Sequence, residues 1–142
     1  MNIFFLLAIY IMMNTSLQEI ATSAFVMLML DGIYLSTFKN YFNRVFKSIQ
    51  GSNLDIKYSG VILCYLLLVF GINYFIISKR ESLLNAFLLG FVIYGVYETT
   101  NYATLDKWPI FMIILDSLWG GILFTLTTYT TYKLYNLKHK IL

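Results

Sequence analysis

Residues 83–132 read LLNAFLLGFVIYGVYETTNYATLDKWPIFMIILDSLWGGILFTLTTYTTY. Two apolar stretches, 83–105 and 109–132, flank the polar turn Leu105-Asp106-Lys107-Trp108-Pro109. Each is near the roughly 20 residues that a helix needs to cross about 30 Å of hydrocarbon. Proline suits a first helical position and tryptophan a membrane–water boundary. A spanning segment must satisfy its own backbone, and the alternation of a barrel strand is missing. The stretch therefore reads as two membrane helices joined by a short turn.

Two more stretches extend this pattern toward the N-terminus. Residues 58–78, YSGVILCYLLLVFGINYFIIS, are joined to the third span by the polar turn Lys79-Arg80-Glu81-Ser82. Residues 20–38, IATSAFVMLMLDGIYLSTF, form the first span. The expected fold is an all-α membrane protein, a four-transmembrane-helix up-down bundle with an additional short apolar N-terminal helix segment. Its parts are an apolar extension over 1–19, the four-span domain over 20–132 and a basic tail over 133–142. Within the extension, Asn2 to Met13 is apolar, too short to span alone and without the charged start of a secretory signal. It reads as an interfacial or extended helix, with translation from Met12 or Met13 as the alternative. The connection from Lys39 to Lys57 is basic and aromatic, and is expected to lie on the headgroups.

Composition agrees. The chain is 59% hydrophobic and 12% charged, with a mean hydropathy of +0.72. A soluble domain carries about twice that charged fraction. The net charge of +3 is spread over loops and tail without a basic stripe, so the expected partner is the lipid bilayer and not nucleic acid. The residue bias suits an AT-rich genome. The membrane would be the cell membrane of a bacterium, or a host or virion membrane for a virus. Up-down topology places Lys39, Arg44, Lys47, Lys57 and Lys107 on one side and Lys79, Arg80, Lys133, Lys138 and Lys140 on the other. That balance leaves the positive-inside rule silent.

Three carboxylates interrupt the spans: Asp31, Glu98 and Asp116. At mid-helix an acid costs on the order of 2.5–3.5 kcal/mol by insertion scales, which makes each a candidate for function. Up-down topology puts all three, with Tyr65, about 10 Å inside the same leaflet at 1.5 Å per residue. Tyr94, Glu98 and Asn101 form one helical stripe, and Asp116, Trp119 and Gly120 another. Turned inward, these stripes make a polar pocket of Asp31, Tyr65, Tyr94, Glu98, Asn101, Asp116 and Trp119, with Trp108 near its mouth. No cation of the chain reaches that depth. At least one acid is therefore expected to be protonated, or the site to hold a proton, a metal ion or an amine.

The run from Tyr94 through Tyr97-Glu98, Asn101, Leu105 and Trp108-Pro109 to Asp116-Ser-Leu-Trp119-Gly120 resembles DUF2177, a family of small predicted membrane proteins. Asp31 with Ile33-Tyr34-Leu35 is similar to that family's acidic end of the first span. The resemblance covers about residues 20–132. Two departures stand out: the family usually has Asp where this chain has Glu98, and Trp near Tyr34. The extension ahead of residue 20 is also unusual for it. The resemblance implies a fold and a site but no established activity.

Several residues draw attention and read as structural. Cys64 is expected as a small buried hydrophobe and His139 as part of the solvated tail. Gly60/Cys64 and Ala86/Gly90 are small-xxx-small pairs suited to close helix packing. No phosphate loop, nucleophile elbow or zinc motif is present, and no cofactor is identifiable beyond a bound cation or proton. Four function classes stay open. One is binding or transport of a proton, cation or cationic solute, where transport calls for a homo-oligomer. Others are an embedded enzyme acting on a lipid or isoprenoid, and a structural protein whose acids lock helices. Pigment binding rests on aromatic content alone and fails for retinal, because no span carries a lysine.

Overall fold

A computed structural model describes residues 14–52, 55–138 and 140, together with 3, 6 and 9. Most of the expected N-terminal helix segment, and His139, lie outside the described residues. Among the described residues the chain is all helical, and four helices are long and apolar enough to cross a membrane. They are α1 (Leu17–Gln50), α2 (Tyr58–Ile72, continuing through a π-helical turn Asn73–Ile77), α3 (Leu83–Thr104) and α4 (Ile110–Leu134).

A capping box opens α1. Glu19 N donates to Ser16 Oγ at 3.2 Å and Ser16 N donates to Glu19 Oε2 at 3.0 Å, the reciprocal pairing that satisfies two orphan helix donors. Gly51 ends the helix in the left-handed region at φ 76°, its N–H donating to Lys47 O. The 34 residues between measure about 51 Å, well beyond the roughly 30 Å of hydrocarbon. The segment expected as a surface connection from Lys39 onward is thus helical to Gln50 and continuous with the first span. No Pro or Gly interrupts it. Phe42, Val45 and Phe46 continue the inward stripe of Met27, Asp31 and Tyr34, and pack with Trp108 and Met112.

The tightest seam joins α3 to α4, where the contact is most extensive. A Cβ built on Gly90 would lie 2.1 Å from Gly120 O, and one on Gly120 would lie 2.5 Å from the Tyr94 ring. The two backbones approach closely only because neither residue has a side chain. Ala86 is buried in the same seam, so the Ala86/Gly90 pair packs as its spacing suggests. Gly60 meets nothing within 4 Å and Cys64 is exposed. That pair faces outward, because α2 packs on α1 at the edge of the bundle and turns Ile62, Leu63, Leu66 and Leu67 to lipid.

One end of the bundle is closed by polar contacts. Arg80 pairs with Glu19 at 3.2 Å, tying the α2–α3 turn to the start of α1. Tyr132 of α4 donates to Glu81 O, and Lys140 N donates to Arg80 O. The Lys140 ammonium beside Glu81 also holds that carboxyl below its usual range. In the π-helical turn, Asn73 Nδ2 donates to Ser23 Oγ on α1 at 2.9 Å and to Val69 O at 2.8 Å.

The seam yields a direct prediction. Gly90→Ala must force α3 and α4 apart, an overpacking cost of about 1–3 kcal/mol. Gly60→Ala, in open space on a helix, should leave stability unchanged or raise it by up to about 1 kcal/mol. Thermal unfolding of the purified variants in one detergent checks this.

Candidate functional site

The three intramembrane acids lie toward the other end, in one network that is divided in two. Asp31 on α1 is 7% exposed. Trp119 Nε1 donates to its Oδ1 at 2.7 Å and Tyr65 OH donates to its Oδ2 at 2.5 Å. Both oxygens of Asp31 therefore have a short neutral donor, one from α4 and one from α2.

Glu98 on α3 is fully buried, at 0% exposed. Trp108 Nε1, in the α3–α4 turn, donates to its Oε2 at 2.7 Å. The other oxygen, Oε1, is buried and meets no donor. The carboxyl of Asp116 on α4 lies within hydrogen-bonding reach of the Glu98 carboxyl. Tyr34 OH donates to Asp116 Oδ1. Two carboxyl groups repel when both are charged and pair only through a proton held between them. Tyr34 and Trp108 thus cap the outer ends of a carboxyl pair.

A stacked aromatic pair separates the two halves. The Tyr34 and Trp119 rings lie 4.3 Å apart and nearly parallel, at 7°. Trp119 serves Asp31 and Tyr34 serves Asp116, so the stack holds both donors in place. The indole N–H only donates, so Trp119 offers no acceptor through which a proton could pass from one half to the other.

The Glu98–Asp116 half borders open space. A cavity of about 210 Å³ is lined by Leu35, Phe42 and Phe46 from α1, Tyr97 and Glu98 from α3, Trp108 from the turn, and Met112 and Asp116 from α4. Glu98 and Asp116 line the cavity, whereas Asp31, Tyr65 and Trp119 form a closed cluster behind it. Tyr94 is packed over Gly120. Asn101 is half-buried, its Nδ2 without an acceptor and its backbone oxygen accepting from Leu105 N at 2.8 Å. Trp108 is no exposed interfacial anchor: it is 4% exposed, against Phe46 and Glu98. Among the described residues no three His, Cys, Asp or Glu side chains come close enough to hold a metal ion.

Two contributors escaped the sequence reading. Tyr34 was legible in principle, since Asp31, Tyr34 and Phe38 follow helical spacing, but its long reach to Asp116 was not. Trp108 was expected near the pocket mouth, but its hydrogen bond to Glu98 was not, because that depends on the turn folding the indole back over α3.

Spans, helices and buried acids together define a multi-pass α-helical integral membrane protein. The chain matches the predicted membrane protein family DUF2177 over residues 16–133, and it belongs to that family. Comparison with curated proteins and with solved structures finds no match.

The division of the acids predicts separate stability effects. Tyr65→Phe leaves Asp31 Oδ2 without its donor and should cost about 1–3 kcal/mol. Tyr102→Phe, at an exposed position, should change stability by less than about 0.5 kcal/mol. Denaturant unfolding in detergent measures both.

Proposed function

We propose that this protein binds a small cationic solute in the cavity, with Glu98 and Asp116 as the accepting groups and Asp31 as a structural acid. The observation that carries this reading is Glu98 Oε1: a fully buried carboxyl oxygen on a cavity wall, without a donor. A buried group of that kind is expensive unless something positive reaches it. Among the described residues no Lys, Arg or His lines the cavity. In the empty state a proton shared with Asp116 provides the missing positive charge, and an arriving cation takes over part of that role.

The geometry favours binding over conduction through one chain. Each oxygen of Asp31 has a donor, and the Tyr34–Trp119 stack lies between Asp31 and the Asp116 side. Asp31 itself fits the structural reading, because its hydrogen bonds tie α1 to α2 and α4.

Infrared spectroscopy of purified protein in lipid tests the proposal. A protonated carboxyl band should be present at neutral pH, absent in Glu98→Gln and Asp116→Asn, and retained in Asp31→Asn. Adding a cation should shift that band in the wild type and in Asp31→Asn. A spectrum with no carboxylic-acid band sensitive to residues 98 and 116 would contradict the shared proton.

A further inference from the structure

The geometry points to a monovalent organic ammonium group, carried on a lipophilic molecule that reaches the cavity between α1 and α3, as the occupant of this site. The inference rests on the reading that Glu98 and Asp116 accept a cation, and it adds the chemical class and the route.

Charge selects the valence. One proton between two carboxyls leaves one negative charge. A monovalent cation beside Glu98 Oε1 brings the site to neutrality, the favoured state in a medium of low dielectric. A divalent ion would leave an excess positive charge while the proton stays, and after displacing it would still need about six to eight oxygen ligands. Glu98 Oε2 and Asp116 Oδ1 are already engaged by Trp108 and Tyr34.

Size and lining select the chemistry. A cavity of about 210 Å³ is on the order of seven water volumes. A bare alkali ion would leave most of it to water against apolar walls. Apart from the two carboxyls, every lining side chain is aromatic or apolar. Phe42, Phe46, Tyr97 and Trp108 offer ring faces and edges around the acids, the arrangement suited to an alkylated ammonium, whose charge is diffuse and whose surface is greasy.

Exposure selects the route. Leu35 on α1 is 45% exposed and Tyr97 on α3 is 58% exposed, yet both line the cavity. The cavity therefore reaches the molecular surface between those two helices. Glu98 lies six residues before the end of α3 at Thr104, about 9 Å along the helix axis. At that depth the surface between α1 and α3 faces acyl chains, so a molecule arriving there is lipid-soluble outside its charged group.

The test uses the full chain in nanodiscs of phosphatidylglycerol, a lipid without an amine. Potassium chloride, calcium chloride, tetramethylammonium chloride and decyltrimethylammonium bromide are titrated by calorimetry, with empty nanodiscs as the blank. Tetramethylammonium should bind at least about tenfold more tightly than potassium or calcium. The decyl chain should tighten binding further, beyond its partition into empty discs. Glu98→Gln should weaken every cation about tenfold or more. Phe46→Leu, which keeps both carboxyls and removes one ring, should weaken tetramethylammonium and leave potassium unchanged. Potassium or calcium binding as tightly as tetramethylammonium would overturn the ammonium assignment while leaving the carboxyl pair as a cation acceptor. No gain from the decyl chain would overturn the route through the bilayer. Binding of every cation left unchanged in Glu98→Gln protein that still elutes and melts as a folded species would overturn the cation-acceptor reading itself.

Discussion

The structure depends on how the three intramembrane carboxyls find donors where no cation among the described residues pairs with them. Four aromatic side chains do this work: the indoles of Trp108 and Trp119 and the phenols of Tyr34 and Tyr65. A hydrogen bond to a charged group contributes about 1.5–3 kcal/mol, whereas an acid at the centre of a membrane helix costs on the order of 2.5–3.5 kcal/mol. Two donors therefore offset one acid, and one donor does not. Asp31 has two and is closed. Glu98 and Asp116 have one each from the aromatics, and both face a cavity. That shortfall is the basis for proposing the pair, and not Asp31, as the cation acceptor.

The rest of the fold holds this arrangement still. At the closed end, Glu19–Arg80, Glu81–Lys140 and the Tyr132 hydroxyl bind the α2–α3 turn to α1, α4 and the tail. The Gly90–Gly120 contact fixes α3 against α4, the helices that carry Glu98 and Asp116. At the opposite end α1 runs on past the hydrocarbon, and Phe42 and Phe46 bring its extended stripe over Trp108. These contacts surround a site that opens to the surface on the α1–α3 side.

Span positions were legible in the sequence because length and hydropathy dictate them: the α3 and α4 helices begin and end within two residues of the expected spans. The depth of the acids followed from the same arithmetic. The continuation of α1 was hidden by its charge, since Lys39, Arg44 and Lys47 look like a loop until the apolar residues between them are placed on a helical face. The split of the acids was not legible at all. It turns on which of two tryptophans serves which carboxyl, and that depends on the fold of the Leu105–Pro109 turn and on the stacking of Tyr34 against Trp119. Neither leaves a trace in residue spacing.

The chain has two tryptophans, and each donates its indole proton to a different acid. Indole ¹⁵N–¹H spectra of the protein in lipid nanodiscs therefore read the two halves of the network separately. Asp31→Asn should shift the Trp119 resonance and leave Trp108 in place, and Glu98→Gln should do the reverse. If either replacement moved both resonances alike, or neither, the partition of the acids into a closed cluster and an open carboxyl pair would be contradicted.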